Sequence, residues 1–511
     1  MTSGLRRAAL VVSLGILLSR LLGFGRDVVM AALLGRTEAA DLYAEAFLIP
    51  DYLFFLMAGG YLSITLVPIL SRFHAADDEA GGRQAFTAIF RVVAVGLVVL
   101  TVVAIAAARP ITDLIFPQVA DPERLAGLTR IALSSQIFFG MGTLYMAAQY
   151  ARQRFVIPTL APLIYNLGII AGGVVGALAG DPSPEAFLWG GLAGAATGNF
   201  ALQWWGARRT GMHLVAGVPI RHRAIGEYAA MAIPLMVGQT VVALDEQWPR
   251  VFGQFVAEGA TAGLAYARRL NMLPVGVIAQ AAGVAAYPFL ARLFAEGKED
   301  ELRNTVKRAV KTGLLVATPI AAIVVALASP AVRAAFQYGE FTGADTSYVA
   351  PLLAVYALSI PFWVAHQVYT RGFYARRRMW LPVVVGSVVT AATVPSALWA
   401  ARSVGAIGVA AVSTGSIAVY TIAIALLWHR DYRGFAIPAR SLTLALLFSI
   451  GAGAGAWLVA QVFDTATVTG ALSALAVGTF IGSNIYLFAS DRAGVDEVSD
   501  LRRTVLARLR R

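Results

Sequence analysis

Tyr150-Ala-Arg-Gln-Arg-Phe-Val-Ile-Pro158 returns 224 residues later as Tyr374-Ala-Arg-Arg-Arg-Met-Trp-Leu-Pro382, with the same opening triplet, second arginine and closing proline. Around this stretch, Pro68, Arg72, Pro110 and Phe116 return as Pro288, Arg292, Pro330 and Phe336, each 220 residues further on. The chain therefore carries one pattern twice, and both copies are almost entirely apolar. Paired halves in a bilayer are a common way to build a midplane cavity and rock around it. The first reading is a protein that moves something across a membrane.

Composition agrees. Of 511 residues 58% are hydrophobic and 14% charged, with a mean hydropathy of +0.70; a soluble domain has roughly 25% charged residues. About fourteen stretches approach the ~20 apolar residues that cross ~30 Å of hydrocarbon. They fall at 8–34, 42–70, 86–108, 130–150, 156–179, 186–206, 228–248, 260–291, 310–328, 347–371, 379–400, 405–428, 441–463 and 467–489. The expected fold is an all-α polytopic membrane protein. Two parallel-repeat lobes of six helices, 1–215 and 222–432, are followed by two further helices and a basic tail in 433–511. Spans two and eight are long and carry polar residues, so they are expected to tilt or bend.

The net charge of +12 sits on alternate loops and both termini: Arg6/Arg7, Arg72/Arg83, Arg152/Arg154, Arg208/Arg209, Arg376–Arg378, Arg430/Arg433 and 502–511. The loops between are acidic or nearly neutral, with Glu38, Asp121/Glu123, Asp181/Glu185, Glu340/Asp345 and Asp464. With an even number of spans the positive-inside rule places both termini in the cytoplasm. Nucleic-acid binding is disfavoured because the positive charge already has this use. Arg20 and Arg26 interrupt the first apolar run, which reads as a retained helix rather than a signal peptide.

Zero cysteines exclude disulfides and thiolate chemistry. The five histidines are scattered, and there is no Walker A loop, metal-ligand cluster or potassium-type filter. Every loop is short, which disfavours a polytopic glycosyltransferase. No enzyme activity and no cofactor are expected.

Charges inside spans are costly and usually face a cavity or a partner. The first span holds Arg20, Arg26 and Asp27. Arg20 and Asp27, seven apart, share a face, and Arg26 lies about 100° away. Two guanidinium forks suit a diphosphate, being always charged and donating directed hydrogen bonds. The plainer alternatives are an Arg26–Asp27 bridge and an Arg20 that snorkels to an interface. Asp41 suits a helix cap, and Glu45 lies deeper, placed to counter Arg20 or Arg26. Further on come Asp245, Glu246 and Arg250, then Arg268-Arg269. Adjacent arginines cannot share a face, so one of Arg268 and Arg269 is expected to point inward. Asp245 and Glu45 are candidates for Na+ or proton coupling, and His366 reads as an interior histidine.

Thr210–Arg223 reads as a linker between the lobes. The last two spans have no repeat partner and are rich in small residues (Gly451-Ala-Gly-Ala-Gly455), which permits close helix contact. They suit either a stabilising pair or a groove for a lipid tail.

Ser19-Arg-Leu-Leu-Gly-Phe-Gly-Arg-Asp27, Ala40-Asp41, Phe47-Leu-Ile-Pro50 and Leu66-Val-Pro-Ile-Leu70 resemble the opening of the MurJ/MviN-type lipid II flippases. Arg154-Phe-Val-Ile-Pro158, Phe336-Gln-Tyr-Gly-Glu-Phe-Thr342 and Gly372-Phe-Tyr-Ala-Arg376 resemble that family in the same order. The resemblance covers most of 8–430. It implies the multidrug/oligosaccharidyl-lipid/polysaccharide exporter fold and a monomer in the bacterial inner membrane. It also implies outward flipping of an undecaprenyl-diphosphate-linked peptidoglycan precursor by alternating access. An ion gradient or the membrane potential would drive the cycle, with membrane lipids and the lipid-linked oligosaccharide as partners. By the same resemblance Arg20, Arg26, Asp27 and Asp41 take the family's functional charged positions, and Arg269 matches the arginine of its Ala-Asp-Arg-Leu motif.

The chain also departs from the family. Pro50-Asp-Tyr-Leu-Phe-Phe55 has two phenylalanines where the family has two arginines, and Arg268 replaces the acid of Ala-Asp-Arg-Leu. Charged hydrogen bonds are worth ~1.5–3 kcal/mol each, so these changes bear on the head group rather than the fold. The alternatives are an exporter of another polyprenyl-diphosphate glycan, of O-antigen or capsule type, or a drug/cation antiporter of the same superfamily.

Overall fold

The computed structural model describes residues 3–57, 61–219, 221–242, 247–283, 287–432, 439–495 and 498. Among them every regular element is a helix. Each of the fourteen apolar stretches coincides with a helix or with a broken run of helices. Among the described residues eight helices are individually long and apolar enough to cross a membrane, or nine if Gly343–Ala357 and Ile360–Ala375, bent by 40°, are one span. In the second stretch the described residues form Glu38–Ala46, Leu48–Met57 and Tyr61–Ala75, with Phe47 ending the first of these; in the eighth they form Ala260–Gly283 and Tyr287–Ala295.

Local chemistry sets the helix starts. Asp78 accepts from Gly81 N at 2.8 Å and begins Glu79–Ala106. Asp121, followed by Pro122, accepts from Arg124 N at 2.9 Å and begins Pro122–Ala151. Thr342 and Asp345 form a reciprocal capping box ahead of Gly343–Ala357. The repeat reappears in the elements, since Glu79–Ala106 and Glu299–Ala326 begin and end 220 residues apart.

Contacts divide the chain into two compact units, Met1–Gln254 and Phe255–Arg511. The boundary lies beyond the Thr210–Arg223 linker. Ala224, Tyr228 and Ala232 of the helix Arg223–Val242 enter the first unit's core with Leu66, Phe86, Phe90 and Tyr145. Arg91 straps the linker down, donating to Val215 O at 3.0 Å and Val218 O at 3.2 Å. In the same unit Gly168 and Gly172 face Gly190 and Gly194. A Cβ on Gly190 would lie 2.3 Å from Gly168 O and 2.7 Å from Gly172 Cα, so the backbones are already in contact.

The second unit is built around Leu302, Val306, Tyr369, Phe373 and Trp428. Its last helices, Ala439–Ala460 and Val468–Arg492, pack together and onto Glu299–Ala326. Both units leave large apolar side chains on the outside, such as Val95, Val99 and Val103 in the first and Leu446, Ile450 and Phe480 in the second. Lipid is the solvent that accepts such surfaces.

Candidate functional site

The helix Ser3–Leu34 delivers Arg26 and Asp27 to a polar patch inside the first unit. Asp27 is buried and Arg26 half-buried. Arg26 donates to Asp27 Oδ1 from Nη2 at 2.8 Å and from Nε at 3.1 Å. Its Nη1 donates to Asn166 Oδ1 at 3.3 Å. Asn166 is held in turn, its Nδ2 donating to Pro162 O at 2.8 Å. The Arg26–Asp27 bridge is thus formed.

Arg20 is exposed beside exposed Leu17 and Leu21. Among the described residues no hydrogen bond or ion pair ties it to Arg26. Asp41 is buried in the first turn of Glu38–Ala46, where Thr37 and not Asp41 occupies the cap position. The capping expectation for Asp41 is therefore corrected: the chain leaves the preceding turn at Thr37, whose Oγ1 donates back to Leu34 O at 2.7 Å. Glu45, four residues after Asp41, is also buried.

Beyond these, the patch holds a second ion pair whose partners lie far apart in the sequence. Arg250, on the short helix Trp248–Gly253, donates from Nη1 to Asp51 Oδ2 at 2.6 Å and to Gln247 Oε1 at 2.7 Å. Asp51 lies 199 positions earlier, in the first turn of Leu48–Met57. Buried Tyr43 lies in the electrostatic field of both Arg26–Asp27 and Arg250–Asp51, so the two pairs belong to one polar region. One turn after Asp51, Phe54 stacks edge-on against Phe139 at 5.9 Å, and Phe139 against Tyr165 at 4.9 Å. An aromatic column thus runs from Phe54 through Phe139 to Tyr165.

In the second unit Arg268 is half-buried, its Nη1 3.5 Å from Ser413 Oγ, whereas Arg269 is exposed. Asn271 is buried and donates to Ser359 Oγ at 3.1 Å, at the break between Gly343–Ala357 and Ile360–Ala375. His366 is buried against Tyr420, with ring centroids 4.5 Å apart. Asp245 and Glu246 lie outside the described residues.

Chemically, the first-unit patch offers two guanidinium groups, each beside a carboxylate, in an apolar surround. A carboxylate neighbour holds an arginine in place and offsets part of the cost of desolvating it. An incoming anion can then share or displace that carboxylate.

The family model described as "Lipid II flippase MurJ" matches residues 30–478. A probable lipid II flippase MurJ of Rhizobium meliloti (strain 1021) is 27% identical over 458 residues, covering 86% of this chain and 84% of that protein. Among solved structures, a lipid II flippase MurJ in an inward closed conformation superposes with a TM-score of 0.78 at 20% identity, covering 95% of this chain and 99% of that one. An inward-facing multidrug resistance MATE family transporter of the MOP superfamily reaches a TM-score of 0.64 at 12% identity, covering 84% and 98%.

Proposed function

This chain belongs to the MurJ family of lipid II flippases, and we propose that it carries a polyprenyl-diphosphate-linked peptidoglycan precursor from the inner to the outer leaflet by alternating access. The observation that carries this reading is the family match over residues 30–478, which takes in both copies of the internal repeat. The chemistry fits. A diphosphate drawn from the headgroup region loses hydration, and guanidinium forks replace it with charge-assisted hydrogen bonds. Arg26 stands ready in the first unit, and Arg268 and Arg269 are the candidates in the second. Transport requires different affinity for the substrate in the two end states. The Arg26–Asp27 bridge supplies a competing partner that the arginine can retake after release.

Both termini face the cytoplasm in this reading, following the alternation of basic loops. An ion gradient or the membrane potential drives the cycle, with Glu45 and Asp245 as the candidate coupling carboxylates.

A second reading rests on Phe54. The Phe54–Phe139–Tyr165 column changes what surrounds the head group, which favours a related polyprenyl-diphosphate glycan over peptidoglycan precursor. Complementation of a bacterium depleted of its own lipid II flippase separates the two. Growth restored by the unaltered chain supports the first reading, and failure despite normal expression supports the second.

A further inference from the structure

Arg26 and Arg250 are both half-buried arginines beside a carboxylate, but they use their donors differently. Arg26 engages Nε, Nη1 and Nη2, with Asp27 on one edge and Asn166 beyond. Arg250 spends Nη1 alone, on Asp51 and Gln247. Among the described residues its Nε and Nη2 have no partner. These two nitrogens form the side edge of the guanidinium, whose parallel N–H bonds match two oxygens of one phosphate.

Unused donors on an arginine within a membrane-embedded unit are costly unless a ligand or water meets them. Arg250 is open to one, since its side chain keeps 26% of its exposure and that of Asp51 keeps 32%. Its position is fixed from behind. Asp51 and Gln247 both hold Nη1, so the open edge is presented without the fork being free to swing. Buried Tyr43 lies in the field of both ion pairs, and Tyr52, the residue after Asp51, lies in the field of Arg250.

We propose that Arg250 is a phosphate-binding residue of this chain: its Nε–Nη2 edge grips the diphosphate of the lipid-linked substrate, with Asp51 and Gln247 as its positioning residues. This rests on the polyprenyl-diphosphate reading above. Asp51 stays on the opposite edge of the fork, so it neutralises the resting arginine without lying between it and the phosphate.

The test uses the full-length protein in nanodiscs and three probes: lipid II, a short-chain polyprenyl diphosphate, and phosphatidylglycerol as the bulk-lipid phosphate. Arg250→Gln is expected to weaken binding of lipid II and of the diphosphate by about ten- to a hundredfold, the value of one charged bidentate contact, and to leave phosphatidylglycerol unchanged. Because Arg250→Gln strands Asp51, the double variant Asp51→Asn/Arg250→Gln is measured beside it. That variant is expected to recover thermal stability but not diphosphate affinity, while Arg250→Lys recovers part of the affinity. Wild-type affinity in the double variant, or unchanged affinity in Arg250→Gln, overturns the proposal and leaves the pair structural. An equal loss for phosphatidylglycerol overturns it in favour of a general lipid-phosphate contact. If the unaltered chain binds neither lipid II nor the diphosphate, the functional reading itself fails.

Discussion

Tyr486 donates its hydroxyl to Leu315 O at 2.7 Å, across 171 residues of sequence. Leu315 lies four residues before Pro319, inside the helix Glu299–Ala326. Proline has no N–H, so Leu315 O lacks its helical donor. Water cannot reach it in an apolar interior, and such a group is expensive to leave unpaired. One of the last two helices supplies the missing donor, which ties this C-terminal pair to the body of the second unit.

That relationship gives a double-mutant prediction. Tyr486→Phe is expected to lower stability by about 1–3 kcal/mol, the range for a buried group left unsatisfied. In a Pro319→Ala background the helix supplies its own N–H and the same substitution is expected to cost clearly less. Thermal unfolding of the four proteins in one detergent measures the coupling. Equal costs in both backgrounds would show that the hydroxyl serves something other than the proline gap.

Arg26 and Asp27 are expected to separate stability from transport. Arg26→Ala takes the arginine away from a buried carboxylate, at a cost of about 3–5 kcal/mol, so it should lower the melting temperature as well as abolish complementation. Arg26→Ala/Asp27→Asn removes the carboxylate's charge as well. Its melting temperature should recover substantially while growth does not. Recovery of growth in the double variant would assign the arginine a purely structural role.

The glycine contact is expected to be intolerant of a single carbon. Gly190→Ala forces a methyl into the backbone of Gly168 and Gly172, and overpacking of this kind costs about 1–3 kcal/mol. Gly96, on the helix Glu79–Ala106, has open space around it. Gly96→Ala should therefore be neutral or stabilising by up to about 1 kcal/mol, the propensity difference. Melting temperatures of the two variants check the contrast.

Arg91 is expected to control the linker. Arg91→Gln removes the donors to Val215 O and Val218 O and leaves the Val215 N bond to Thr87 Oγ1, at 3.1 Å, as the remaining strap. Hydrogen exchange should accelerate around 213–219 while the core amides of Glu79–Ala106 keep their protection. Unchanged exchange in the linker would show that the segment is held by other means.

Much of the fold was legible in the sequence because lipid imposes a simple rule: each spanning stretch must satisfy its own backbone and expose apolar side chains. Hydropathy therefore located the spans, and the Pro68/Pro288 and Tyr150/Tyr374 correspondences located the repeat. The interruption at Phe47 inside 42–70 was foreshadowed by the polar residues of that stretch. At the site, Arg26 and Asp27 announced themselves as charges where charge is costly. Arg20 carried the same signal, yet is exposed where Arg26 is half-buried. Hydropathy reports that a charge is unusual and not where its side chain goes.

The sequence by itself determined the class of molecule: helical, membrane-embedded, built from two copies of one pattern, with arginines in its first span. Periodicity and burial cost act locally, so they can be read along one chain. Only the tertiary structure decided that Asn166 completes Arg26, that Asp51 meets Arg250, and that Tyr486 mends the helix at Pro319. Those pairs are 140, 199 and 171 residues apart. Their chemistry depends on which atoms lie within 3.5 Å once the helices have packed, and no local pattern in the chain encodes that.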